Sequence, residues 1–210
     1  MLRVKICGIT RPEDALVAAD AGADAIGLVF AESPRRIDVE RAVAIVDALP
    51  PFVTPVALFV NETPGRILET CCRVGATVVQ LSGGEPPEAA SALLGQGLSV
   101  IKAFHVREEG DLAAIADYPA AAYLLDSRVA GRHGGTGVAF DWSLAAKVDL
   151  PKPVILAGGL CPESVAEAVR QVRPYAVDVS SGVEASPGIK DPARVHAFVE
   201  NARRALGAAR

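Results

Sequence analysis

Cys7, Arg35, Asp126 and Asp178 are the residues of this chain whose types and placement could do chemistry. Cys7 and Asp126 each end a short apolar run, Asp178 lies inside another, and Arg35 sits in a loop, Ser33-Pro34-Arg35-Arg36, that follows a fourth. A thiol and carboxylates can exchange protons with a substrate, and an arginine can pair with an anionic one. Two further loops, Gly158-Gly159 and Ser180-Ser181-Gly182, can offer backbone N–H groups without side-chain obstruction, which suits a phosphate. The bland reading of those glycines is tight turns. Two such loops after consecutive apolar runs favour phosphate.

These residues need a frame that brings them to one face. Eight apolar, β-branched runs recur along the chain, at 4–7, 25–30, 56–60, 78–81, 100–104, 122–126, 154–157 and 176–179. Stretches with helical spacing and turn residues follow them, the pattern of a parallel sheet with crossover helices. Thr10-Arg-Pro-Glu13 reads as a capping box, and Thr63-Pro64 and Asp191-Pro192 read as a cap followed by a first-turn proline. Cys161-Pro162 holds a similar place with a poorer cap, and the fifth helix, around 108–116, is short or irregular. Eight units in 210 residues average about 26 residues each, so the fold class expected is α/β, a single (β/α)8 TIM barrel over residues 1–210. An open doubly wound sheet usually carries G-x-G-x-x-G after its first strand, and that motif is missing here.

In such a barrel, function sits at the carboxyl ends of the strands. Read in order, those ends carry Cys7, the Arg35 loop, Asn61, Ser82, His105, Asp126, Gly158-Gly159 and the segment from Asp178 to Gly182. Lys5 shares a strand face with Cys7, and Asp178 shares one with Ser180 on the strand that must close against the first. Lys5 is therefore expected within ion-pair reach of Asp178. His105 and His133 read as ordinary loop residues.

Composition narrows the function classes. Half the residues are hydrophobic and only 5% aromatic, which fits strands buried under helices. The formal charge is −4 with no long run of one sign, so neither nucleic acid nor a membrane surface is an expected partner. The four cysteines form no CxxC pair and there are three histidines, which argues against a structural zinc site. No secretory pattern opens the chain and no apolar run nears the ~20 residues needed to span a bilayer, so a reducing cytoplasm is expected. A monomer and a homodimer remain equally open.

The motifs Lys5-Ile-Cys-Gly-Ile-Thr10, Gly27-Leu-Val-Phe30, Ser33-Pro-Arg35, Phe59-Val-Asn61, Leu124-Leu-Asp126, Gly134-Gly-Thr-Gly137, Ala157-Gly-Gly-Leu160, Asp178-Val-Ser-Ser-Gly-Val-Glu184 and Pro187-Gly-Ile-Lys-Asp191 resemble those of phosphoribosylanthranilate isomerases. They run in order over nearly the whole chain. The resemblance implies a TIM-barrel isomerase of tryptophan biosynthesis. Its reaction is the Amadori rearrangement of N-(5-phosphoribosyl)anthranilate to 1-(2-carboxyphenylamino)-1-deoxyribulose 5-phosphate, for which no metal or organic cofactor is chemically necessary. It implies Cys7 as general base and Asp126 as general acid. Arg35 then takes the anthranilate carboxylate, with Arg36 as its alternative in an ambiguous register. Asp178, Gly158, Gly159, Ser180, Ser181 and Gly182 complete the substrate site. Cys7 would need its pKa lowered from about 8.5 by nearby positive charge, and Asp126 must carry a proton when substrate is bound. One departure stands out: Val79-Gln-Leu-Ser82-Gly83 has serine where the family usually has histidine. The competing readings are a related phosphate-binding barrel isomerase of the histidine-biosynthesis or bifunctional type, and a barrel that only binds a phosphorylated metabolite. The first places aspartate where this chain has Cys7, and the second has no need of Cys7 and Asp126 together.

Overall fold

Eight parallel strands close into a barrel in chain order, β1 (Arg3–Cys7), β2 (Ala25–Val29), β3 (Thr54–Phe59), β4 (Val78–Leu81), β5 (Ser99–His105), β6 (Ala122–Asp126), β7 (Val154–Ala157) and β8 (Ala176–Val179). The computed structural model describes residues 2–106, 115–126 and 150–207. Among these, the strands alternate with helices α1 (Pro12–Asp20), α2 (Val39–Asp47), α3 (Pro64–Val74), α4 (Pro87–Gly95), α5 (Val165–Val172) and α6 (Pro192–Gly207). A short hairpin, β9 (Glu184–Ser186) with β10 (Ile189–Lys190), is inserted between β8 and α6. The helix expected around 108–116 and the glycine-rich loop 128–140 lie wholly or largely outside the described residues.

The barrel closes because β1 pairs with both β2 and β8, with Lys5 opposite Asp178. Apolar side chains divide into two cores. The larger lies between strands and helices and includes Ile6, Ile26, Leu28, Val79, Leu81 and Leu156, together with Ala15, Ala42, Ile67 and Phe198 from the helices. Fully burying one such leucine or isoleucine contributes about 1.5–3 kcal/mol. The smaller core fills the barrel itself with Val56, Ile101, Ala122, Leu124, Ile155, Ala157 and Ala176. These small and branched side chains leave the upper interior to polar groups.

Helix starts follow the sequence unevenly. Asp191 caps α6 as expected, its Oδ1 accepting from the Arg194 amide at 3.1 Å. Thr63 precedes the first-turn proline of α3 but makes no side-chain cap bond. The Thr10 capping box is absent. Arg11 holds the N-cap position of α1, while the Thr10 hydroxyl donates to the Gly188 carbonyl at 2.6 Å and ties α1 to the β9–β10 hairpin. A tertiary acceptor has outcompeted the local one. The Cys161-Pro162 segment is a turn, and α5 begins after Ser164. No helix among the described residues is long and apolar enough to cross a membrane.

Candidate active site

The strand ends enclose a cavity of about 200 Å³ at the carboxyl mouth of the barrel. Cys7 from β1, Asp126 from β6 and Asp178 from β8 all line it. So do Gly158 and Gly159 after β7, and Ser180, Ser181 and Gly182 after β8. Arg35 is not among the lining residues and stands beside them.

Cys7 is buried at 6% exposure. It fits because its neighbour on β2 is Gly27: a β-carbon there would lie 2.6 Å from Cys7 Sγ and 3.0 Å from its Cα. Lys5, two residues back, donates from Nζ to Asp178 Oδ1 at 2.8 Å, with both side chains buried, so the ion pair expected across β1 and β8 is present. The expectation of a lowered Cys7 pKa is not met. Burial pushes the thiol up, Lys5 and Lys190 pull it down, Asp178 opposes them, and the net direction is upward. The positive charge anticipated from the sequence is there, but desolvation outweighs it. For Lys5 the balance is reversed: burial works to lower its pKa, and Asp178 and Cys7 together raise it.

Asp126 closes β6, half-buried, in register with His105 of β5 and Ala157 of β7. His105 is thus not a loop residue. It ends a strand and lines the same cavity as Asp126. β5 runs one residue further than its apolar pattern shows, which brings the imidazole to the mouth.

The loops after β7 and β8 are built on glycine for two different reasons. Gly158 and Gly159 have φ of 85° and 67°, a region that strains other residues. At Gly182 a β-carbon would meet the Leu160 carbonyl oxygen at 1.9 Å, so the two loops are pressed backbone to backbone. Their N–H groups are therefore carried on neighbouring, sterically fixed turns.

Arg35 is clamped by Glu184. Its Nε and Nη2 donate to Oε1 and Oε2, each at 2.6 Å, and its stem crosses Gly8, where a β-carbon would lie 2.4 Å from Arg35 Cδ. Nη1 makes no hydrogen bond among the described residues. Arg36 points elsewhere and pairs with Glu32 on the surface. The adjacent arginines are therefore unlike: Arg35 is held against the strand that carries Cys7, and Arg36 is a solvated side chain.

Ser82 accepts from Gln80 Nε2 at 3.0 Å. Gln80 is 4% exposed, lines the cavity, and its Oε1 has no hydrogen-bond partner among the described residues. Asn61 lies outside the cavity lining. It adopts a left-handed φ of 53° and holds the loop after β4, its Oδ1 accepting from Gly84 and its amide donating to Glu85. Glu85 in turn forms a buried ion pair with Lys102 at 2.9 Å.

Four members of this framework have no role that the sequence alone signals: Glu184, Lys190, Gln80 and Glu85. The first three fall inside the quoted motifs, so their presence was visible while their partners were not. Glu85 stands in an acidic, proline-rich turn that resembles any solvated loop. Among the described residues, no group of three or more His, Cys, Asp or Glu could hold a metal ion.

A closed (β/α)8 barrel with a thiol, a carboxylate and two glycine-built loops gathered at its carboxyl mouth defines the class as that of the TIM-barrel enzymes. The sequence profile of the N-(5'phosphoribosyl)anthranilate (PRA) isomerase family matches residues 4–201, and the chain belongs to that family. The N-(5'-phosphoribosyl)anthranilate isomerase of Geobacter sulfurreducens is 52% identical over 204 residues, 97% of this chain and 99% of the relative. The crystal structure of phosphoribosyl anthranilate isomerase from Thermotoga maritima superposes with a TM-score of 0.91 at 46% identity, over 97% of this chain and 100% of that one. A second crystal structure of a phosphoribosyl anthranilate isomerase, in complex with reduced 1-(o-carboxyphenylamino)-1-deoxyribulose 5-phosphate, gives a TM-score of 0.86 at 44% identity, over 97% and 100% of the two chains.

Proposed function

We propose that this protein isomerises N-(5-phosphoribosyl)anthranilate to 1-(2-carboxyphenylamino)-1-deoxyribulose 5-phosphate, a step of tryptophan biosynthesis. The observation that carries this reading is the placement of Cys7 and Asp126 on one cavity from strands three places apart round the ring. A sugar held between them can be worked on from two sides. Asp126 gives a proton to the furanose oxygen, the ring C–O bond breaks, and the anilino nitrogen takes the positive charge as an iminium. Cys7, as thiolate, removes the proton from C2; that electron pair forms the enolamine and neutralises the nitrogen. Tautomerisation then leaves C1 reduced and C2 oxidised to the ketone, an intramolecular oxidoreduction that proton transfers alone accomplish.

Gly158, Gly159, Ser180, Ser181 and Gly182 receive the phosphate on their backbone N–H groups and hydroxyls. Arg35 offers its remaining Nη1 edge to the anthranilate carboxylate, and Asp178 completes the floor of the site beside Cys7. A relative at 44% identity binds the reduced form of this product, which supports a phosphorylated small molecule as the ligand here. The four cysteines, all free thiols in this structure, suit a reducing cytoplasmic setting. The barrel works as one unit of residues 1–210, as a monomer or a homodimer.

The test is to form phosphoribosylanthranilate in situ and follow the loss of its fluorescence. The proposal requires turnover by the purified protein without added metal or cofactor. A folded protein that binds phosphorylated ligands yet leaves the fluorescence unchanged would contradict it.

A further inference from the structure

Lys190 is fully buried and has no part in the mechanism above. Its backbone amide donates to Asp14 Oδ2 at 3.0 Å, and Asp14 is itself gripped by Arg11. Its ammonium donates to the Ser180 carbonyl at 3.2 Å and to Glu184 Oε1 at 3.0 Å. A lysine held at both ends inside the protein is costly unless its charge is matched.

Within the cluster the match is incomplete. Lys5 is paired with Asp178, and Arg35 takes both oxygens of Glu184. Lys190 shares a carboxylate that Arg35 already neutralises. Among the described residues of this cluster, three cations therefore face two anions, and one positive charge is left over.

The group beside that surplus is Cys7. Lys5 precedes it on β1, and Gly8 follows it, packed between Arg35 Cδ and Ser180 Oγ at 2.4 and 3.0 Å from the position of a β-carbon. Lys190 holds the carbonyl of that same Ser180. We propose that Lys190 is the positioning charge for the base, a buried counterion whose surplus is cancelled when Cys7 becomes a thiolate. The cluster carries one net positive charge with Cys7 as thiol and none with Cys7 as thiolate. Burial lowers Lys190 on balance, with Glu184 first and Cys7 after it pulling it back up, and burial raises Cys7 against the downward pull of Lys5 and then Lys190, so the ammonium and the thiolate each favour the other. Among the described residues, the other titratable groups facing Cys7 are Asp126 and His105, which line the cavity from β6 and β5, and they stand outside this buried set.

The inference rests on Cys7 being the base, and its test reads the thiol without requiring turnover. Alkylation of the Cys7 peptide by iodoacetamide, resolved by mass spectrometry from Cys71, Cys72 and Cys161, is followed across pH. Lys190→Met should move the midpoint upward by about one pH unit or more, as expected for loss of a close charge, and Lys190→Arg should restore it. Glu184→Gln enlarges the surplus and should move the midpoint downward. A merely structural role would not send two variants of one cluster in opposite directions. Midpoints that stay with the wild type, or that move the same way in both variants, would overturn the proposal. Should Lys190→Met fail to fold, the direction found for Glu184→Gln decides alone. A protein that titrates as described but does not turn over phosphoribosylanthranilate would refute the proposed reaction, and with it Cys7 as its base, while leaving the charge coupling of Lys190 to Cys7 standing.

Discussion

Arg35 and Glu184 meet edge to edge, guanidinium to carboxylate, through two hydrogen bonds of 2.6 Å, although 149 residues separate them in the chain. The contact joins the loop after β2 to the hairpin after β8 and fixes one edge of the arginine. Such a pair needs a planar, two-pronged cation. Arg35→Lys keeps the charge and loses the geometry. Steady-state kinetics should show KM for phosphoribosylanthranilate raised about tenfold, the cost of one good charged hydrogen bond, with kcat changed little. An unchanged KM would remove Arg35 from the substrate site.

Gly27 leaves the space that Cys7 occupies. The clash expected of a β-carbon there, 2.6 Å from Sγ, 3.0 Å from Cα and 3.2 Å from Cβ of Cys7, cannot be relieved by turning the thiol alone. Gly27→Ala should fold, with some loss of stability, and lose at least about tenfold in kcat, because a misplaced base forfeits much of its effect. A Gly27→Ala protein with wild-type kcat would show that the position of Sγ is not critical.

Asp178 is the partner that makes Lys5 tolerable inside the barrel. Asp178→Asn leaves the ammonium buried without its counter-charge, and denaturant unfolding should report a loss of about 3–5 kcal/mol. Replacing Lys5 by Met and Asp178 by Leu together should cost less than the single change, since no charge is then stranded. A loss below about 1 kcal/mol for Asp178→Asn would mean that Lys5 reaches water, contrary to its 5% side-chain exposure.

Two buried carboxylates make the fold acid-sensitive. Burial works to raise the pKa of Glu85, and its bonds to Lys102 and to the Asn61 amide outweigh this and lower it. Glu184 is lowered likewise, by Arg35 and Lys190 against the same burial. A carboxylate with a depressed folded pKa stabilises fully above its unfolded value, about 4.3, and loses that contribution as pH falls through the folded one. Melting temperature should therefore fall below about pH 4.5, and the slope between about pH 5 and 3 should be shallower in a Glu85→Gln, Glu184→Gln double variant. An equally steep slope would mean that other groups govern acid unfolding.

The strands were legible because each buried run is short, apolar and β-branched, and the ends of β4, β6, β7 and β8 fall where the pattern stops. The Lys5–Asp178 pair was legible too, since strand periodicity and barrel closure leave few other places for two inward charges. What escaped was set by contacts distant in sequence. Thr10 looks like a cap until Gly188 offers a better acceptor, and Glu184 has no role in sequence until Arg35 and Lys190 arrive. The direction of the Cys7 shift escaped for a related reason: a sequence displays its charges and not the depth at which a thiol is buried.

Cys7 and Asp126 are the proposed base and acid, and one pair of variants separates their chemistry from binding. Cys7→Ser and Asp126→Asn should bind the reduced product analogue within about threefold of the wild type, read by fluorescence titration, because neither change removes the phosphate loops or Arg35. Turnover should fall at least about a hundredfold in each, the loss expected when an acid or a base is removed. Loss of turnover with binding retained is expected in both variants. Turnover near the wild-type level in either one would assign the proton transfers elsewhere on the cavity wall, with His105 the nearest candidate.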